Sequence, residues 1–443
     1  MSVLADGGVA AAAAASLLEV ITAPEGEAIA YATRLELTRF AGNVIHQSVA
    51  ETSLRLRARV LGDNRVGVAE GGGRGDDAVR RVAHAAEQAR HWSAPADVTP
   101  LPEPDGGSDS PVAYSAATDA ASPEVRAELV ARLTRHAAAH GLLAYGAMST
   151  QTSTTAVHNT KGVRREATST QASMVTVVRG DKGSGYAARH SPDVDAVDID
   201  ALAHEAVDTC MRNQDAQPID PGTYEVVASP YAVSDLLGHL SWVGFSALAV
   251  QEHRSFMRLG EKLMSDSVTI VDDCKDAALF PHPFDAEGVS SAVVPLIERG
   301  VCAGVVYDTP TARRDGVRST GHSLPQPNTW GPLALHMRMD AGDRTVEDLI
   351  GSVKRGLYVT RFWYVRDVHP LHTIITGMTR DGAFLIENGK LGRPVRDLRF
   401  TQSIVDALSD VRGISRDRIL ELEEGESGVL CPWVHLGHFS FTS

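Results

Sequence analysis

Cysteine is scarce in this chain: four residues in 443, Cys210, Cys274, Cys302 and Cys431, widely scattered and without a Cys-x-x-Cys pair. That excludes a disulfide framework and fits a reducing compartment. Basic residues are in deficit too, 42 Lys and Arg against 56 Asp and Glu, for a net charge of −14. Such a balance argues against nucleic acid or anionic lipid as a main partner, because phosphate binding needs a positive surface. No uninterrupted apolar run is long enough to cross a bilayer. The alanine run at 9–18 has no basic flank before it and is expected to open a helix rather than to act as a signal peptide. A soluble, cytoplasmic protein without a membrane partner is the expectation. Complete catalytic motifs are also missing. No Gly-x-Ser-x-Gly elbow occurs. Gly71-Gly-Gly-Arg-Gly75 lacks the Gly-Lys-Ser/Thr ending that holds phosphate and magnesium, and is expected to be a loop before a helix. No fixed-period repeat is visible.

The residues present describe an α+β protein. The length is too great for one ordinary core, and 43% hydrophobic with 22% charged residues is a globular composition. Residues 34–40 and 53–60 alternate, with Leu54, Leu56, Ala58 and Val60 on one face. Turns are expected at Gly42-Asn43, Gly62-Asp-Asn-Arg65 and Asn159-Thr-Lys-Gly162. Val79, Val82, Ala83 and Ala86 recur at helical spacing, as do Val125, Leu129, Val130 and Leu133. Between them, 93–111 is rich in Pro, Gly, Asp and Ser and reads as a long loop. Strands follow from 143 to 186, then an amphipathic helix over 199–211. The polar, proline-bearing stretch 215–222 suggests a boundary. The expected units are 1–220, a hairpin-and-helix domain including the loop region 93–122, and 221–443, dominated by mixed and antiparallel sheet. In the second unit, 231–246 has helical spacing, 293–297, 304–307, 373–375, 383–386 and 434–441 look like strands, 402–408 a short helix, and Glu387-Asn-Gly389 a hairpin.

Metal-capable residues are few and weakly grouped. His204-Glu205 is the sole His-Glu dipeptide, but Asp208 and Thr209 stand where a second imidazole would be needed; the pair is expected on a solvated helix face. Cys431, His435 and His438 lie close in sequence. On a regular strand Cys431 and His435 would share a face while His438 points away, so a packed terminal strand is the default. His322, His336, His369 and His372 read singly as structural or surface imidazoles.

An ordered series of motifs adds to this. Val271-Asp-Asp273, Phe284-Asp-Ala-Glu-Gly288, Leu296-Ile-Glu-Arg-Gly300, Tyr307-Asp-Thr-Pro-Thr-Ala312, Ser319-Thr-Gly-His322, Thr376-Gly-Met-Thr379 and Ile386-Glu-Asn-Gly-Lys-Leu391 follow one another along the second half. In these the chain resembles the TldD/PmbA family of metallopeptidase-related proteins, once called modulators of DNA gyrase. The family's active subunit carries His-Glu-x-x-x-His on the helix before the Val-Asp-Asp strand and a cysteine ligand near its C-terminus. Here His239 is present, but Leu240 replaces the Glu and Gly244 the second His. Five residues of helix turn about 140°, so both imidazoles could reach one metal only if the helix is distorted or ends there. Cys431 beside Pro432 does not inherit the cysteine's role. The resemblance therefore implies the TldE/PmbA type. That is a non-catalytic chain without its own metal, paired with a TldD-type subunit that supplies zinc or a similar divalent metal and the general base, for small or unfolded peptides. The alternatives are an autonomous metal-dependent hydrolase using an atypical site of His239 with Cys431, His435 or His438, and a gyrase-modulator-like binding protein.

Overall fold

Period-2 alternation builds the first half. In the computed structural model residues 8–107, 110–423 and 427–442 are described; Ser108 and Asp109 of the expected long loop lie outside them. Strands β1 (Glu25–Ala41), β2 (Val44–Gly62), β3 (Arg65–Gly72), β4 (Leu143–Asn159), β5 (Arg164–Arg179) and β6 (Ser184–Ser191) form a sheet in the order β3-β2-β1-β4-β5-β6. Every pairing in it is antiparallel. The two turns around β2 place both central residues at positive φ, Gly42 and Asn43 (59° and 67°) and Asp63 and Asn64 (53° and 52°). Gly, Asn and Asp tolerate this conformation, which matches the twist of a tight hairpin.

Five helices belong to this half: α1 (Val9–Glu19), α2 (Asp76–Trp92), the short α3 (Ala116–Asp119), α4 (Pro123–Ala139) and α5 (Ile199–Arg212). The alanine run thus forms a helix, with Ala10, Ala14, Leu17 and Leu18 buried. α1 and α2 cover Ala28, Ala30, Ala32, Leu54, Leu56, Ala58 and Val60. α4 and α5 cover Phe40, Met148, Met174 and Val178. All of these strand positions are even-numbered, so the four longer helices share one face of the sheet. α2 lies directly on β3: a Cβ at Gly67 would sit 2.1 Å from the Ala86 carbonyl oxygen, so only glycine fits.

The odd-numbered face meets the second half. Ile29, Val157 and Ala167 pack there against Phe284. Beside them Arg59 bridges two buried carboxylates, Glu27 at 2.7 Å and Glu287 at 3.2 Å, with no side chain of the three more than 6% exposed. Burial pushes the Glu27 carboxyl up in spite of Arg59, while the two carboxylates outweigh burial at Arg59 and hold its proton firmly.

The second half is built on an eleven-stranded mixed sheet. Its strands are β7 (Gly222–Ala228), β8 (Ile270–Asp272), β9 (Val294–Glu298), β10 (Val301–Cys302), β11 (His336–Met339) and β12 (Arg355–His369). They continue with β13 (Ile374–Glu387), β14 (Lys390–Val395), β15 (Arg399–Ser403), β16 (Val411–Glu423) and β17 (Ser427–Phe441). The main path runs β10-β9-β8-β11-β17-β15-β13-β12-β7, with β14 on β13, β16 on β17, and β17 also joined to β7. The β12–β7 and β11–β17 pairs are parallel. Helix α6 (Pro230–Val243) follows β7 and buries most of its surface in the largest core. The fold is α+β, as the residues suggest.

Three local expectations are corrected. Residues 304–307 form no strand; Val306 makes a single bridge to Ser246. The segments 373–375 and 383–386 are not separate strands: Thr373 ends the preceding turn, and 374–375 and 383–386 belong to one continuous strand, β13. β12 and β16 went unread because bulges break their alternation, between Val359 and Arg361 and between Trp363 and Arg366 in β12, and between Ile414 and Arg418 in β16. Among the described residues no helix is long and apolar enough to cross a membrane.

Candidate functional site

Helix α6 opens with Pro230, whose missing N–H is harmless in a first turn. Along it Tyr231, Asp235, His239 and Trp242 recur at helical spacing and form one stripe. Leu236, Leu237, Leu240 and Val243 face the core instead. The stripe is one wall of a cleft of about 470 Å³, completed by Tyr186 of β6, residues 361–366 of β12 and Glu421 of β16.

Polar contacts fix the cleft's side chains. His239 Nδ1 lies 3.0 Å from Asp367 Oδ1. Arg361 donates to Asp381 at 2.8 Å, and its guanidinium lies 4.2 Å from the Tyr186 ring centre. The Tyr186 hydroxyl donates to Glu421 at 3.1 Å. Burial pushes the Asp235 carboxyl up to about 7, against the pull of His239 and Arg361, and the Glu421 carboxylate adds to the rise. An acid poised there exchanges protons near neutral pH. Next to it Tyr364 is held at a φ of 55° by the bulge in β12, a conformation that a bulky residue adopts only when its surroundings impose it.

The two other positions of the hexapeptide turn away. Leu240 is fully buried in the main core. Gly244 ends the helix, and a Cβ there would sit 2.0 Å from Cε1 of Phe256. Positions 240 and 244 are four apart and share the inward face, whereas 239 faces the cleft. A carboxylate at the first would enter the core, and an imidazole at the second would collide with a buried ring.

The remaining candidates do not converge on His239. Cys431 packs in the main core with Val434 and Leu436. His435 points elsewhere, with Nε2 3.0 Å from Glu225 and Nδ1 3.2 Å from the Ser352 hydroxyl. The regular alternation that would have put Cys431 and His435 on one face is broken between them: Val429 and Cys431 share the main core with Val434 and Leu436, so the inward positions pass from odd to even around Pro432. His438 contacts Asp406 at 3.1 Å. His204 is exposed and rests edge-on against His136, their ring centres 4.3 Å apart. Glu205 is not merely solvated: it pairs with Arg189 at 2.6 Å and accepts the Tyr231 hydroxyl at 3.0 Å. Gly71 and Gly72 end β3, and Gly73 and Gly75 turn the chain into α2. His369 and His372 are exposed neighbours, with ring centres 4.4 Å apart. His322 and His336 meet at Asp272 of the Val-Asp-Asp motif. The His322 Nε2 lies 3.1 Å from one carboxylate oxygen, and the His336 backbone N–H donates to the other at 3.1 Å. Burial alone would raise the Asp272 carboxyl, but the His322 imidazole, helped by the His336 backbone N–H, outweighs it and holds it low. Among the described residues no three His, Cys, Asp or Glu side chains are grouped so as to hold a metal ion.

Sequence reasoning missed Asp235, Arg361 and Asp367. The Asp235-x-x-x-His239 spacing was readable; the partners on β12 were not, because that strand's bulges hide its faces.

The chain is similar to several known proteins. The family described as PmbA/TldA metallopeptidase C-terminal domain matches residues 221–443. A protein of Methanocaldococcus jannaschii is 31% identical over 170 residues, 37% of this chain and 40% of that one. A metalloprotease of Methanothermobacter thermautotrophicus is 24% identical over 229 residues, 50% of this chain and 49% of that one. The chain thus spans about half the length, or less, of these curated relatives. TldE from Thermococcus kodakarensis shares the fold across nearly the whole chain, with a TM-score of 0.86 at 20% identity over 95% of this chain and 97% of that one. With its second half matched from end to end, the chain belongs to the PmbA/TldD metallopeptidase family.

Proposed function

We propose that this chain is a TldE/PmbA-like subunit that performs no peptide hydrolysis itself and pairs with a TldD-type subunit. The partner supplies the divalent metal and the general base, and the complex acts on small or unfolded peptides. The observation that carries this reading is the inward orientation of positions 240 and 244. The residues present do not fit a metal: His239 is engaged by Asp367, Leu240 is core and Gly244 abuts Phe256. No hydrolytic step is therefore derived from this cleft. Its role is to form a wall, with Asp235, His239 and the aromatic side chains facing the space through which substrate passes. The fold shared with TldE supports the assignment, and the chain's acidic charge disfavours a direct DNA-binding role.

The test is co-expression with a TldD-type subunit, followed by native mass spectrometry, metal analysis and cleavage of an unstructured peptide. The expected result is a one-to-one complex that holds metal and cleaves, and an isolated chain that does neither. Stoichiometric zinc and chelator-sensitive cleavage by the isolated chain, both abolished by His239→Ala, would overturn the proposal in favour of an autonomous hydrolase.

A further inference from the structure

The alternation of residues 53–60 leaves one face unused by the reading above. Its even positions lie beneath the helices; its odd positions, after Ser53, are Arg55, Arg57 and Arg59, aimed at the second half. The three differ in how far they are satisfied. Arg59 is saturated by Glu27 and Glu287. Arg57 pairs with Glu70 at 2.9 Å and donates to the Gln326 carbonyl, leaving Nη1 buried without a partner. Arg55 is exposed, lies 4.7 Å over the Tyr31 ring, and has no ion-pair partner among the described residues.

Arg55 stands in the wall of a second cavity, of about 330 Å³, enclosed between the odd face of the first sheet and residues 280–291 and 321–336 of the second half. The register sets Arg55, Tyr31 and Thr155 in one cross-strand row and Thr33, Ser153 and Ser169 in the next. The hydroxyls of Thr33, Thr155 and Ser169 have no hydrogen-bond partner among the described residues. The facing wall is apolar at Phe284, Leu324 and Leu335, beside the imidazoles of His282, His322 and His336. The acid in the lining, Asp285, is already capped by the backbone N–H groups of Glu287, Val289 and Ser323. Burial holds the lining His282 down to about 4 and His336 below its ordinary value, so both are neutral near pH 7. Among the described residues Arg55 is the one Lys or Arg in the lining.

We propose that this cavity between the two sheets binds the carboxylate end of a short peptide. Arg55 receives the carboxylate, the row of hydroxyls bonds the backbone, and the apolar wall takes the side chains. An arginine is suited to this by its forked donors, and a cavity with one apolar wall and a few convergent polar groups is the usual form of a small-ligand site. That the ligand is a peptide rests on the proposed role in peptide processing; that it is anionic rests on Arg55.

The test is calorimetric titration of the isolated full chain with N-acetyl-Leu-Leu as the free acid and as the C-terminal amide. The free acid is expected to bind about tenfold or more tighter than the amide, since a charge-assisted pair is lost in the amide. Arg55→Gln should abolish that preference, Thr155→Val should weaken both forms, and Arg80→Gln, which removes a charge from the outer surface of α2, should change neither. An acidic side chain as the true ligand would show as N-acetyl-Asp-amide binding with the same Arg55 dependence while the C-terminal acid does not bind; this would overturn the carboxyl-terminal assignment. Equal binding of acid and amide, no heat at millimolar peptide, or a preference surviving Arg55→Gln would each overturn the proposal. Because no metal or partner subunit enters this titration, its failure is distinguishable from failure of the proposed function.

Discussion

Restoring the missing motif should break the fold before it binds a metal. In the variant carrying Leu240→Glu and Gly244→His, the first change forfeits the burial of a leucine, about 2–3 kcal/mol. It also leaves a carboxyl in an apolar core with no donor, a further cost of about 1–3 kcal/mol even when the acid stays protonated. The second change puts a Cβ 2.0 Å from Phe256 Cε1. That ring is itself buried against Phe245, with ring centres 5.7 Å apart, so it has little room to yield, and overpacking of this kind costs about 1–3 kcal/mol. The positions share neighbours and do not add strictly. Together they come to roughly 4–9 kcal/mol, comparable to the whole stability of a domain. At roughly 2–4 °C per kcal/mol the melting transition of the second half falls by on the order of 10–30 °C. Thermal melts followed by circular dichroism, with zinc determined on the soluble fraction, give the outcome. A double variant that melts like the wild type and carries one zinc would refute the argument that positions 240 and 244 belong to the core.

Three further outcomes are expected. Arg59→Met strands two buried carboxylates and should cost about 3–5 kcal/mol in urea unfolding; because burial already raises the Glu27 pKa, protonation relieves the strain, so the loss should be smaller near pH 5 than near pH 8. Asp235 keeps its proton in the folded chain up to about pH 7, above the range of an unfolded carboxyl, so folding takes up a proton and wild-type stability falls as pH rises across that window; Asp235→Asn should be close to wild type at the acidic end and more stable above it, as read by urea midpoints at both ends. Gly67→Ala drives a methyl into the Ala86 carbonyl oxygen and should destabilise the first half by about 1–3 kcal/mol, seen as faster amide exchange in β3 and α2 than elsewhere.

How much of this was legible depended on whether a segment's local pattern matched its tertiary use. Residues 54–60 of β2 could be read because the even positions are apolar and the odd ones arginine, and the turns could be read because Asn and Gly at positive φ leave a chemical trace. The helical stripe of α6 was visible as spacing. β12 was not, since its bulges throw Trp363, Tyr364 and Arg366 out of period, and with them the partners of His239 and Asp235. Cys431 and His435 misled because the inward face of β17 passes from odd to even positions between them, which no local rule encodes. The meeting of His322 and His336 at Asp272 joins residues far apart in sequence, and spacing carries no information about such closures. The position of Leu240 in the core was implicit in the apolar stripe, but the obstruction at Gly244 depends on Phe256 folding back, which only the structure supplies.

The two hairpin turns that bracket β2 impose a counting rule on the first half. Because side chains alternate between faces, an inserted residue that shifted 54–60 by one position against β1 would turn the arginines under α1 and α2 and expose the leucines on the opposite face. A single extra residue is harmless where the ladder can bulge, as at the Gly42 end of this strand, where Arg39 pairs with Gln47 and Phe40 with Ile45 so that His46 is passed over. Single-residue length changes should therefore be tolerated in the exposed stretch 44–53 and not within the mostly buried 54–60, a constraint that falls on insertions and deletions and leaves the identity of single residues untouched.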